Sequence, residues 1–185
     1  MALALPVVLA IGLGTLLGGS PGRLGALRLR LPGLFLAAFA IQVVAFPFDL
    51  LPWRMDRTAA TVLWLVSYAL LTLAAFVNLR TRGVAVVALG MLMNLTAIVA
   101  NGGTMPVRYE AMHQAGRVDV TYANSTAMAE PHVGLLVDRW AAPSWVPFAN
   151  VFSVGDVVIA IGAFVVVLAA MGIPRPGFVP RAGRV

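Results

Sequence analysis

Seven acidic residues, two histidines and thirteen arginines carry the side-chain charge of this chain, and a few of them stand at spacings that could do chemistry. Glu110 and His113 are three apart, and Glu130 and His132 flank Pro131. An acid-and-imidazole set of this kind could hold Zn²⁺ or a similar ion, or could work as acid and base at a surface. Carboxylate-bridged helical bundles need two Glu-x-x-His motifs and further glutamates, and this chain has one, so no metal is assigned. Asp156 opens a long apolar run. An acid inside a membrane marks function by default, but Ser153-Val154-Gly155-Asp156 also reads as a capping box, with serine at the N-cap and aspartate at N3. Both readings stay open.

The third candidate is Asn101-Gly102-Gly103-Thr104-Met105-Pro106-Val107, where an apolar run stops and a long polar loop begins. Two glycines allow positive φ, and Pro106 biases Met105 towards extended backbone. The Gly-Gly turn is either an anion-binding nest of converging N–H groups or a plain helix C-cap. Asn94, Asn101, Arg108 and Asp156 could line one polar pocket, with Arg108 or the Gly102 and Gly103 amides pairing with Asp156 to lock the loop. Other chemistry is missing. There is no Gly-x-Ser-x-Gly elbow, phosphate-cradling loop with lysine, or dinucleotide fingerprint. Gly12-x-Gly14 has no strand before it and reads as packing. Neither histidine falls at mid-membrane, where a haem-holding bundle would need one. No cofactor and no catalytic residue is assigned.

The elements that must position these residues are apolar. The chain is 185 residues long, 61% hydrophobic and only 11% charged, with a mean hydropathy of +0.93; a soluble domain carries roughly 25% charged residues. Too little polar surface remains to cover a water-soluble globule. The net charge of +6 does not indicate a nucleic-acid partner, because the arginines punctuate apolar runs instead of clustering on one face. The absence of cysteine excludes disulfides and thiol chemistry.

Five uncharged apolar segments stand out: Leu3–Gly19, Leu31–Phe48, Thr58–Leu79, Val84–Ala100 and Val157–Ile173. Each approaches the ~20 residues that a helix needs to cross ~30 Å of hydrocarbon, and helices satisfy the backbone there. The first segment lacks a charged start and a cleavage site and reads as a retained span. The expected fold is therefore an all-α integral membrane protein, a five-helix transmembrane bundle. A single membrane domain covers residues 1–173, and a Pro/Gly/Arg tail follows at 174–185. Arginines 23, 28, 30, 80, 82, 175, 181 and 184 have no acid among them, and placing them in the cytoplasm puts the N-terminus outside and the C-terminus inside the bacterial cytoplasmic membrane. Trp53, Trp140 and Trp145 then fall on the outer side with Tyr109 and Tyr122, where aromatic rings favour the headgroup zone; Trp64 lies within a span.

Gly14 and Gly18 form a small-xxx-small pair on the first span. On the fourth, Gly83, Val87, Gly90, Asn94, Ala97 and Asn101 make one stripe facing the bundle. Gln42, Tyr68, Thr72 and Asn94 are polar at depth and read as interhelical hydrogen bonds. No internal repeat indicates the duplicated halves of a transporter. The outer loop, 102–152, is too long for a mere connector. Pro106 to Ala115 is expected as a short helix capped by Thr104 and stopped by Gly116, Val133 to Trp140 as a second such segment, Val118 to Tyr122 as extended, and Asn124-Ser125-Thr126 as a loop that matches a glycosylation pattern without weight.

The Asn-Gly-Gly-x-Met-Pro-Val stretch, followed by His132 and by Gly155-Asp156 at the last span, resembles the signature of a bacterial family of uncharacterised multi-span membrane proteins. The resemblance covers the chain from the first span to about Gly172. It implies architecture and supplies no mechanism, and it lends importance to Asn101, Gly102, Gly103, Met105, Pro106, His132, Gly155 and Asp156. The candidate binding set is thus Asn94, Asn101, Gly102, Gly103, Met105, Pro106, Arg108, His132 and Asp156. Three functions are carried forward. The first is a non-enzymatic module whose outer cap binds a lipid-like small molecule or the membrane subunits of a larger complex. The second is a small transporter or channel, as a homo-oligomer, along the Asn94/Asn101/Asp156 stripe. The third is an enzyme at the outer surface using Asp156, His113 or His132.

Overall fold

The computed structural model describes residues 4–45, 55–115, 121–122, 124–143 and 151–173. Five apolar helices dominate it: α1 (Ala4–Leu16), α2 (Pro32–Ala45), α3 (Arg57–Val77), α4 (Val84–Ala100) and a last one, Val154–Ala170. A 3₁₀ turn, Pro21–Ala26, follows α1. The five helices pack side by side in the order α1, last helix, α4, α3, α2. Between α4 and the last helix lie β1 (Met105–Arg108), α5 (Tyr109–Gln114), β2 (Thr121–Tyr122), β3 (Ser125–Met128), β4 (Trp140–Ala141) and β5 (Val151–Phe152), so the last helix is α6.

The helix starts are local and legible. Asp56 caps α3 by accepting from the amide of Ala59 at 3.2 Å. Ser153 and Asp156 form the full capping box of α6, each side chain bonded to the other residue's backbone.

The tightest seam joins α4 to α6, which run antiparallel. Gly83 lies against Gly162, and Gly90 lies against Gly155. A Cβ at Gly83 would stand 2.6 Å from the Gly162 carbonyl, and one at Gly90 would stand 2.6 Å from the Gly155 carbonyl. Two glycines seven residues apart on each helix thus bring the backbones together. The expected stripe on α4 is real. The expected pair on α1 is shifted: Gly14 and Gly19, not Gly14 and Gly18, face Met171 of the α6 end, because Gly18 (φ 81) is already in the turn that closes α1.

Size is distributed in reverse of a water-soluble protein. The bundle interior is built from Ala10, Ala38, Ala60, Ser67, Thr72, Ala74, Ala75, Ala88, Asn94 and Ala97, relieved by Trp64, Met91 and Ile98. The large apolar side chains point outward, among them Leu9, Leu36, Phe39, Val62, Leu73, Leu89, Val99 and Ile161. Polar contacts cross between helices as expected: Gln42 donates to Ser67 Oγ (3.1 Å), the Tyr68 hydroxyl to the Met91 carbonyl (2.9 Å), and Asn94 to α6. Thr72 instead bonds within its own helix, to the Tyr68 carbonyl. Among the described residues α3, with 21 residues, is the one helix long and apolar enough to cross a membrane, and the other four are shorter.

The segment after α4 corrects the all-α expectation, because it folds as a small mixed cap. The stretch expected as one helix from Pro106 is first a strand: β1 pairs in parallel with β3, Met105 opposite Ser125, and only then does α5 begin, with Arg108 at its N-cap and no Thr104 cap. Pro106 lacks an amide hydrogen and fixes an extended start, while Met105, Pro106 and Val107 are all buried. Asn124 leads directly into β3, so the expected loop there is a strand from Ser125 onward. The expected helix at Val133–Trp140 is a set of turns entered through Val133 (φ 50), followed by a bridge from Asp138 to Val107 and by β4. Of the segment expected as extended, Thr121 and Tyr122 form β2, antiparallel to β3. Trp53, Trp145, Gly116, Val118 and the tail lie outside the described residues.

Two clusters hold the cap. Met105 and Val137, backed by Leu136, seat it on Trp64, Ala97 and Ile98 of α3 and α4. Val107, Ala111, Met112 and Val151 form its own small core.

Candidate functional site

Two polar nodes lie where the cap meets the C-terminal end of α4 and the N-terminal end of α6, and a third lies within the cap. In the first, Asn94 donates to Asp156 Oδ1 at 2.8 Å, and the Ser153 hydroxyl donates to Asn94 Oδ1 at 2.9 Å. Asp156 Oδ2 accepts from the Ser153 amide at 3.0 Å. Gly155 makes this contact feasible, since any Cβ there would overlap the Asn94 amide. The expected lock of Asp156 by Arg108 or by the glycine amides is therefore replaced. The aspartate is held by Asn94 and by its own helix cap, which suits a carboxylate at the positive end of a helix.

The second node explains the Asn-Gly-Gly turn. Buried Asn101 donates to the Ala97 carbonyl (2.7 Å) and to the His132 carbonyl (3.0 Å), and its Oδ1 accepts from the His132 amide (2.8 Å). One side chain thus replaces a strand partner for the His132 backbone, while the imidazole is exposed. Gly102 and Gly103 take φ of 77 and 94, and the Gly103 amide donates to Ile98 O at 2.9 Å. That amide is spent on closing α4, so the anion-nest reading gives way to a C-cap.

The third node lies deeper in the cap. The Arg108 amide donates to the Asp138 carbonyl (2.9 Å), and the Asp138 amide donates to the Pro106 carbonyl (3.0 Å). The side chains are not so served: among the described residues, Arg108 Nε and Asp138 Oδ1 are both buried without a hydrogen-bond partner. Burial first, and the Asp156 charge second, push the Asp138 carboxyl up to about 8. A carboxyl titrating there is about nine-tenths protonated at pH 7. Two orphaned polar atoms are costly, on the order of 1–3 kcal/mol each, and ask for a partner.

The predicted set therefore divides. Asn94 and Asp156 share the first node, Asn101, Gly102, Gly103 and His132 build the second, and Met105 and Pro106 anchor the cap. Arg108 belongs to the third, and the single pocket expected for Asn94, Asn101, Arg108 and Asp156 resolves into these separate nodes. Glu110, His113, Glu130 and His132 are not gathered: among the described residues no three acid or imidazole groups are placed to hold a metal ion. Asp138 was invisible in the sequence, because an acid beside Arg139 and Trp140 reads as surface and only the fold buries it.

A small-residue helix bundle with a short-stranded cap after its fourth helix defines the class of this protein. Residues 26–168 match DUF5317, described as a family of unknown function, and the chain belongs to that family. It is also similar to an uncharacterized protein of Thermotoga maritima, 28% identical over 141 residues, which covers 75% of this chain and 76% of the relative. No solved structure matches.

Proposed function

We propose that this is a five-span protein of the bacterial cytoplasmic membrane, N-terminus outside and C-terminus in the cytoplasm, whose outer cap is a non-enzymatic module that binds a lipid-like small molecule. The membrane reading is supported by the reversed packing: many exposed Leu, Val, Ile and Phe side chains over an interior of Ala, Gly, Ser and Asn. Soluble monomers rarely expose apolar patches beyond a few hundred Å², whereas lipid-embedded helices meet through small residues. The orientation is supported by five described arginines, 23, 28, 30, 80 and 82, at the end of the bundle opposite the cap.

The observation that carries the binding role is the pair of buried, unpartnered atoms, Arg108 Nε and Asp138 Oδ1. Arg108 Nε offers a hydrogen and needs an acceptor. The mostly protonated Asp138 carboxyl favours an uncharged partner, such as the hydroxyl or carbonyl groups of a lipid headgroup. By contrast, the polar side chains at depth, Gln42, Ser67, Tyr68 and Asn94, are each spent on a partner, which argues against a conducting stripe.

Native mass spectrometry of protein purified in mild detergent tests the binding role. The wild-type protein should carry a bound small molecule that both Arg108→Met and Asp138→Leu lose. A bare wild-type mass, or a density map in which one water bridges the two atoms, would overturn it. Since the chain has no cysteine, Glu110→Cys gives a single thiol, and labelling it from outside intact cells checks the orientation.

A further inference from the structure

At the end of the bundle away from the cap, a cleft of about 490 Å³ opens between Arg30, Phe76, Val77, Leu79 and Arg80. Its walls combine two exposed guanidinium groups with two exposed apolar side chains, Phe76 and Leu79. No described side chain pairs with either guanidinium. The five acids that the structure describes, Asp56, Glu110, Glu130, Asp138 and Asp156, all lie at the other end. Arg23, Arg28 and Arg82 share this end, so the field over the cleft is positive and no described acid neutralises it.

The cleft is held in shape by a buried device. Asn78, 3% exposed, sits just beyond α3 and spends its whole amide on fixing the chain beside the cleft. Its Oδ1 accepts from the Arg30 amide at 2.7 Å. Its Nδ2 donates to the Arg30 carbonyl at 3.0 Å and to the Ala74 carbonyl at 2.8 Å. The residue after Arg30, Leu31, takes φ 51, a left-handed conformation that L side chains rarely adopt. The Asn78 bonds hold the Arg30 backbone against the end of α3, and Arg30 and Arg80 both line the cleft. Strain of this kind persists where the surroundings enforce it. Here the Asn78 clamp fixes the residue immediately before Leu31.

We infer that this cleft binds an anionic phospholipid of the inner leaflet, with the phosphate between Arg30 and Arg80 and the first acyl methylenes along Phe76 and Leu79. The charge complementarity fixes the headgroup: two arginines that no described side chain pairs, with no described acid nearby, match a phosphate that carries net negative charge. The apolar wall fixes the source as lipid, since free phosphate gains nothing from Phe76 and Leu79. The volume falls within the roughly 300–1,000 Å³ range of small-molecule sites. The inference rests on the membrane reading above but uses none of the cap.

The test is reconstitution into nanodiscs of equimolar phosphatidylglycerol and phosphatidylcholine, followed by native mass spectrometry of the lipid retained. Each arginine set against the anionic headgroup contributes roughly a fivefold preference, so with Arg30 and Arg80 wild-type protein should retain phosphatidylglycerol about twenty-fivefold over phosphatidylcholine. The double variant R30Q/R80Q should lose that preference. R28Q/R82Q, which removes the same charge outside the cleft, should keep it. Equal losses in the two double variants would reduce the effect to a general field and overturn the site, as would a wild type without preference. Displacement of the lipid by millimolar inorganic phosphate would overturn the lipid as occupant. Failure to enter discs of either lipid would instead sink the membrane reading, which separates the two outcomes.

Discussion

The bundle and the cap solve the packing problem in opposite ways. In the bundle, backbones approach through Gly83, Gly90, Gly155 and Gly162, and bulk is turned outward. In the cap, Met105, Val107, Met112, Val137 and Val151 are turned inward, and short strands pair at the edges. Outward Leu and Val gain no burial in water, so the first arrangement holds together through close backbone approach and small-residue contact. The second is how a domain in water is built. One chain of 185 residues therefore contains two sets of packing rules, and two of the three polar nodes lie where they meet.

The sharpest way to break this contrast is to add bulk on the bundle side. A Cβ at Gly155 would overlap the Asn94 amide and stand 2.8 Å from the Gly90 carbonyl. Gly155→Val should therefore separate α4 from α6, break the Asn94–Asp156 bond and cost about 3 kcal/mol or more. Gly12→Val adds the same atoms where nothing lies within 4 Å and should change stability by less than about 0.5 kcal/mol. Thermal melting in detergent measures both. Equal melting temperatures for the two variants would show that the seam is not what holds the bundle.

The cap side is sharpened by pH. In the folded protein the Asp138 carboxyl is raised from 3.8 to about 8, by burial and then by Asp156. The folded state therefore holds a proton that the unfolded chain releases, and stability falls as pH rises between those two values. The slope is about 1.4 kcal/mol per pH unit within that window, so melting temperature should drop between pH 6 and pH 8. Asp138→Asn keeps a neutral side chain of the same shape and should flatten the curve. A drop of the same size in Asp138→Asn would assign the pH dependence to some other group.

The two regions also differ in how much of them the sequence discloses. Val84–Ala100 is α4 to the residue, because an uncharged run between Arg82-Gly83 and Asn101-Gly102 leaves little choice of ends. The stripe of Gly83, Gly90, Asn94 and Asn101 was readable from spacing, since helix faces repeat every three to four residues. Asn94 and Asn101 do face partners on it, Asp156 and the His132 backbone. The cap was not readable in this way. Met105 pairs with Ser125 and Val107 with Ala127, twenty residues apart, and strands of two to four residues carry no period to detect. Pro106 to Ala115 looked helical throughout because its second half is a helix. Asp138 shows the limit most plainly: it is buried where its backbone pairs with Pro106, Val107 and Arg108, about thirty residues away, and nothing beside it in the chain announces that.

The smallest effect concerns the hinge between the two regions, and it separates shape from size. Gly102 has φ 77, yet a Cβ there would meet nothing within 4 Å. Its glycine is thus required by conformation and not by space, the reverse of Gly155. Gly102→Ala should cost about 1 kcal/mol, the left-handed penalty for an L side chain. Asparagine tolerates that conformation better than alanine, so Gly102→Asn should cost less than Gly102→Ala although it adds more atoms. At Gly155 the order must invert, with asparagine worse than alanine, because overlap with Asn94 grows with volume. If alanine and asparagine rank by size at Gly102 as well, the turn out of α4 is crowded after all, and the hinge follows the bundle's rule and not the cap's.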